Sequence, residues 1–266
     1  MEELIQQYKT AFAKFKNIEF IPESHTYLID KKIAQSVTTI LKQYVKPFER
    51  DYWASKKADD LGVSVEEILH KWEYNAKFSQ IKGTLVHQFL ECSLNNQSFE
   101  YPEELIVNEF GFDPIQTPFN SIIEIAKQFL SDINNKMYPV ASELIIGHSE
   151  YLVGGTIDQL FYNKKSGDLE IWDWKTNKEI KTTSRYSHLS PLDHIPDTEL
   201  DHYSLQLSLY KYIVESSTGL QLGNSYIVWL NENSNKYQIY KTHDYKSEAE
   251  IILKNVKKQK IKCNMI

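Results

Sequence analysis

Apolar residues recur every three to four positions along some stretches of the chain and every second position along others, and the change of period marks out its elements. IEFIPESHTYLIDKKI alternates around a polar turn and predicts a small hairpin from about Ile18 to Ile33. Helical spacing follows: SVTTILKQYV opens on a serine cap, FERDYWASKKADD and SVEEILHKWEYNA carry it on, and SQIKGTLVHQFLECSL is a longer amphipathic segment. The opening stretch MEELIQQYKTAFAKFKNIEF reads as an amphipathic helix, without the basic start and apolar run of a signal peptide. Prolines and a glycine make 102–118 turn-rich, and SIIEIAKQFLSDINNK returns to helical spacing. The period then falls to two. SELIIGHS, YLVGGTIDQLFYN and DLEIWDWKTN predict three strands in a meander, LDHYSLQLSLYKYIVES a helix, NSYIVWLNEN and KYQIYKTHD a strand pair, and SEAEIILKNVKKQKI a closing helix. The sum is an α/β fold: a mixed sheet flanked by helices, with a hairpin and mainly helical part over 1–118 and a core over 119–266, expected to form one compact unit.

Composition narrows the function classes. No stretch approaches the roughly 20 apolar residues of a membrane span, so a membrane partner is not expected. The two cysteines, Cys92 and Cys263, are too few for a cysteine-rich zinc or iron-sulfur site, and a reducing, cytoplasm-like compartment fits them. A net charge of −6 argues against a protein that coats nucleic acid through bulk positive charge, but not against a cleft that gathers carboxylates for a metal. Neither a G-x-S-x-G elbow nor a Walker A loop is present.

The richest segment is GGTIDQLFYNKKSGDLEIWDWKTN. Residues i and i+2 of a strand project to one face, so Asp173 and Lys175 point together, while Trp172 and Trp174 take the other face. A hairpin over the intervening residues brings Asp158 alongside. Hard cations such as Mg²⁺ or Mn²⁺ take carboxylate oxygens, which makes Asp158 and Asp173 natural ligands and the Trp174 carbonyl a further one. Lys175 is then placed to hold or deprotonate an attacking water and to offset charge in the transition state.

Four pieces in order, Gly83-Thr84-Leu85-Val86-His87, Gly155-Thr156-Ile157-Asp158, Asp173-Trp174-Lys175-Thr176 and Gln206-Leu207-Ser208-Leu209-Tyr210, resemble the RecB-type branch of the PD-(D/E)XK nucleases. SVTTIL followed by FERDYWASKKA also looks like the N-terminal part of the mitochondrial genome maintenance exonuclease and its phage-type relatives. The resemblance implies a restriction-endonuclease-like core, with His87 binding or orienting a metal, Asp158 and Asp173 binding it, and Lys175 catalytic. It further implies that Gln206 and Tyr210 meet the substrate, with Thr176 of the D-x-K-T piece beside them, and that Glu143, one strand before G-x-x-D, hydrogen-bonds Lys175 or a metal-bound water, with Glu150 a competitor. Arg185, in the basic segment after the D-x-K strand, is expected to meet substrate phosphates.

About 22 residues separate Lys178 from Asp201, rich in Lys, Arg and His, and read as a flap over a substrate strand in which Tyr186 stacks on a base. Lys46, Arg50, Trp53, Lys56 and Lys57 form a second basic and aromatic cluster. The function expected is a Mg²⁺- or Mn²⁺-dependent DNA exonuclease acting on single strands or ends in replication, recombination or repair. A structure-specific endonuclease with the same site, or a non-catalytic nucleic-acid-binding module, is the alternative.

Overall fold

The structure, a computed structural model, describes residues 2–263, with side chains through residue 258. After helix α1 (Glu2–Phe12), strands β1 (Ile18–Ile21), β2 (Thr26–Ile29) and β3 (Lys32–Ser36) form an antiparallel meander. The expected hairpin is thus its first two strands plus a third, because Asp30 and Lys31 take positive φ and turn the chain back at once. Ser36 caps α2 (Val37–Leu41), its hydroxyl accepting from the Thr39 amide at 3.1 Å. Helix α3 (Arg50–Leu61) ends at Gly62 in the left-handed region.

Two helices expected over 64–94 are one, α4 (Val65–Leu94), 30 residues long. Ser64 caps it and no proline interrupts it, so nothing breaks the backbone ladder where the apolar spacing changes phase. The turn-rich stretch 102–118 holds a further helix, α5 (Glu103–Phe110), fitted between Pro102 and a left-handed Gly111. Pro118 falls in the first turn of α6 (Gln116–Ile133), where a missing amide costs no helical hydrogen bond. These prolines and Gly111 bound helices rather than excluding them.

Strands β4 (Met137–His148), β5 (Val153–Asn163) and β6 (Leu169–Lys175) form the predicted meander. Thr198 caps α7 (Glu199–Thr218) by accepting from the Asp201 amide at 2.9 Å, and its hydroxyl donates back to the Asp201 carboxylate at 2.7 Å. Strands β7 (Leu222–Trp229) and β8 (Gln238–Lys241) and helix α8 (Lys246–Cys263) complete the described chain. β7 joins β6 in parallel and β8 joins β7 antiparallel, so a single mixed sheet of eight strands runs through the described residues. It also crosses residue 118, since β3 pairs with β5.

Helices cover both faces of this sheet. Ile171, Val153 and Ile157 pack with α1, α2, α7 and α8 on one side, and Trp172, Trp174 and Phe161 pack with α4 and α6 on the other. Strand β6 is therefore buried on both faces, with only Lys175 at its end partly exposed. The gap that makes a site lies along β5. One edge of β5 pairs with β3 at Val153 and Gly154 and with β6 from Gln159 to Tyr162. Residues 155–158, the G-x-x-D segment, fall between those two ladders.

Candidate active site

Where β5 and β6 part, Asp158 takes over the role of a ladder partner: its Oδ2 accepts the Trp174 amide at 2.8 Å. The same oxygen lies 3.5 Å from His87 Nδ1, and Glu143 Oε1 lies 3.8 Å from that nitrogen. His87 Nε2 meets the Trp174 carbonyl at 3.1 Å, so the ring is held as Nε2–H and turns Nδ1 toward the two carboxylates. Gly83, one turn before His87, faces Thr176, whose Oγ1 lies 3.4 Å from where a Cβ at 83 would sit. His87, Glu143 and Asp158 each offer a ligand atom within 4.8 Å of one another, close enough for the three to hold one metal ion together.

Glu143 reaches this position through strain. It stands opposite Asp158 in the β4–β5 ladder, between the pairs Ser142↔Gln159 and Leu144↔Ile157, with φ +46°. A non-glycine residue held there inside a strand costs on the order of 1 kcal/mol or more. We therefore expect Glu143→Gly to unfold at higher denaturant than Glu143→Ala, by about 1 kcal/mol, although both lose the same carboxylate. Equal stability of the two variants in urea unfolding would contradict the strained backbone. Glu150, the competing carboxylate, is instead exposed and paired with Lys257 at 2.6 Å.

Asp173 is buried on the neighbouring strand and ion-paired to Lys175. The Lys175 ammonium also sits 4.7 Å from the centre of the Tyr203 ring, on α7. Gln206 donates to the Tyr210 hydroxyl at 3.0 Å, and both are buried. Tyr210 lies so close over Gly155 that any side chain at 155 would overlap its ring. This pair supports β5 from behind and has little surface left to offer a substrate. Tyr203 is the site residue that sequence reasoning missed; its signal was spacing, since it lies one turn before Gln206 and two before Tyr210 on the same helix face.

Thr176 is half-buried beside Gly83. Arg185 is exposed and lines a cavity of about 1030 Å³ that Tyr203 also borders. A second cavity, about 430 Å³, is lined by His87 and Glu143 themselves, with Thr156 and Tyr27. The long segment after β6 is pinned rather than loose: Ile180, Leu192 and Ile195 are buried, Leu189 bonds the Tyr44 carbonyl, and His194 pairs with Glu248 on α8.

Three carboxylates crowd one ammonium here, and proton affinities respond. Burial works against the imidazolium of His87, but the Asp158 and Glu143 charges outweigh it and push its pKa up to about 9. Burial, then the charge of Asp158, raises Asp173 to about 6 against the pull of Lys175. Burial likewise lifts Asp158 above its ordinary value. Lys175 stays charged, because Asp173 and Asp158 overcome the cost of burying it. A raised folded-state pKa stabilises the fold below the unfolded value and loses that contribution as pH rises through the folded one. Without cations the protein therefore loses stability between about pH 4 and 6 through Asp173, and again between about 6.5 and 9 through His87. Thermal melts in EDTA across pH 5 to 9 check this, and His87→Gln should remove the upper step.

The family model of the PD-(D/E)XK nuclease superfamily matches residues 63–263, well over half of the chain. The protein belongs to that superfamily and is a nuclease by family. A crystal structure from Eubacterium rectale, named "Putative exonuclease", is similar at 16 % sequence identity and a TM-score of 0.41, over 68 % of each chain. No curated protein matches. Among the described residues no helix is long and apolar enough to cross a membrane.

Proposed function

We propose that this nuclease is a Mg²⁺- or Mn²⁺-dependent DNA exonuclease that hydrolyses phosphodiesters at free ends or in single strands. The observation that supports it most is the convergence of His87, Glu143 and Asp158 beside the Asp173–Lys175 pair. The donors suit such a cation: one imidazole nitrogen and carboxylate oxygens, in a group whose excess negative charge otherwise draws a proton onto His87. His87, Glu143 and Asp158 hold it, with Asp173 and the Trp174 carbonyl as neighbouring oxygens. Once bound, the cation supplies Lewis acidity to the scissile phosphate.

The chain's own groups do the rest. Lys175 orients the attacking water and offsets charge as it builds on the phosphoryl oxygens. Asp173 fixes the ammonium by pairing with it, and the Tyr203 ring bounds its other side. The Trp174 carbonyl holds the His87 tautomer. Thr176, next to Lys175 in sequence, and Arg185, lining the larger cavity, serve as phosphate contacts, while Gln206 and Tyr210 keep β5 in place. The preference for DNA ends rests on the resemblance of the sequence motifs to the RecB-type and phage-type exonuclease branch. End-labelled linear DNA and closed circular DNA test the reading, each with Mg²⁺, Mn²⁺ or EDTA. Degradation of linear molecules only with cation, with closed circles surviving, is expected; nicking of closed circles would overturn the exonuclease assignment in favour of an endonuclease.

A further inference from the structure

The core of this protein takes in most of its aromatic residues, yet a group of them stays out in solvent on one side of the site. Phe48 is 66 % exposed, Trp53 43 % and Tyr186 66 %. They are not scattered. Tyr203, in contact with Lys175, borders the larger cavity, which Tyr186, Arg185, Lys46 and Phe48 also line. Phe48 also lines a separate cavity of about 530 Å³, with Trp53, Lys56, Lys57 and Trp72. Phe48 thus joins two hollows into one path that starts at Tyr203, beside Lys175, and ends on the α3–α4 hairpin.

The chemistry along this path alternates. Lys46 lies 5.9 Å from the Tyr186 ring centre and Lys56 lies 5.2 Å from that of Trp53. Among the described residues, Lys46, Lys56, Lys57 and Arg185 form no ion pair with a carboxylate, whereas Arg50 is taken up by Glu73 and Lys181 by Glu179 and Glu199. Asp60, Asp197 and Glu199 also line the two hollows, so the path is not a uniformly basic stripe that would favour the evenly charged exterior of a duplex. Exposed rings interleaved with single free cations suit a ligand that presents flat bases and a phosphate at each step.

We propose that a single DNA strand runs from the active site across Tyr203 and Tyr186 to Phe48 and Trp53, with bases stacked on those rings and phosphates on Lys46, Arg185, Lys56 and Lys57. This rests on the nuclease reading above and extends it by giving the strand a direction and a second contact region away from the chemistry. Stacking on a ring is sequence-tolerant, so the path holds any sequence. Trp72 also lines the outer hollow, its ring centre 5.7 Å from that of Phe48.

The test uses the full chain in EDTA, so that binding is read without cleavage. Oligo-dT carrying 5-iodouracil at graded distances from one end is crosslinked by light and the attached peptides are identified. Crosslinks to Tyr186 near the end and to Phe48 or Trp53 further along are expected; crosslinks confined to other surfaces overturn the path. In parallel, Phe48→Ala and Trp53→Ala should each weaken oligo-dT binding about tenfold, with Trp53→Phe close to wild type. Unchanged affinity in both alanine variants overturns the proposal and leaves the hairpin as a surface for a protein partner. Duplex bound as tightly as single strand, and weakened equally by the same variants, also overturns it. The two readings fail separately: wild type that crosslinks through Phe48 and Trp53 but never cuts with cation removes the exonuclease and keeps the path, while alanine variants that bind like wild type remove the path and keep the exonuclease.

Discussion

Lys175→Ala is expected to retain divalent-cation binding and to cut linear DNA about a thousandfold more slowly than wild type. The ammonium is the one group of the constellation that donates hydrogen bonds without competing for the cation, and it is held against Asp173 and over Tyr203, a residue that lines the larger cavity. Groups that position a nucleophile or meet developing charge in a shielded site are typically worth 10²- to 10⁴-fold. A structural role for the pair predicts something different. Asp173 is buried, so removing Lys175 leaves a carboxylate without its counter-charge, which takes up a proton rather than remain ionised. Loss of activity through unfolding would show as a lower melting temperature and lost cation binding together. Calorimetric titration with Mn²⁺ separates the two, and Lys175→Ala cleaving within tenfold of wild type while folded would remove Lys175 from the chemistry.

What was legible in the sequence was whatever depends on local period. The β4–β5–β6 meander, α7 and the β7–β8 pair follow from alternation and helical spacing, and Asp173 and Lys175 share a face because they sit two apart on one strand. The site's interior depends on where ladders stop, and no local pattern records that. Asp158 is useful because β5 finds β3 at one end and β6 at the other and leaves 155–158 between them. The β3 contact joins residues more than a hundred positions apart. Glu143 could be singled out by its place before G-x-x-D, but its left-handed backbone could not. The long segment after β6 read as a flap because it is long and carries Lys, Arg and His directly after the catalytic strand. Ile180, Leu192 and Ile195 are nonetheless enough to bind it down, since three buried aliphatic side chains contribute several kcal/mol.

Asp158→Asn is expected to abolish the stabilisation that cations give the wild-type protein and to lower cleavage at least as far as Lys175→Ala. The substitution keeps the shape and an oxygen able to accept the Trp174 amide, so the point where β5 and β6 part can persist. What is lost is charge at the centre of the donor set. Asp158 is the leading electrostatic reason that His87 holds its proton, so His87 should titrate lower in the variant and the stability step above pH 6.5 should move down with it. Asp173→Asn makes the useful comparison. Its carboxylate is paired with Lys175 and stands outside the group of three donors, so its loss should weaken Mn²⁺ affinity less than the loss of Asp158. Melting curves with and without Mn²⁺, read beside calorimetry, rank the two. If Asp173→Asn loses the cation and Asp158→Asn keeps it within threefold, the metal centre lies on β6 rather than between α4, β4 and β5, and the roles given to His87 and Glu143 must be exchanged for that of Asp173.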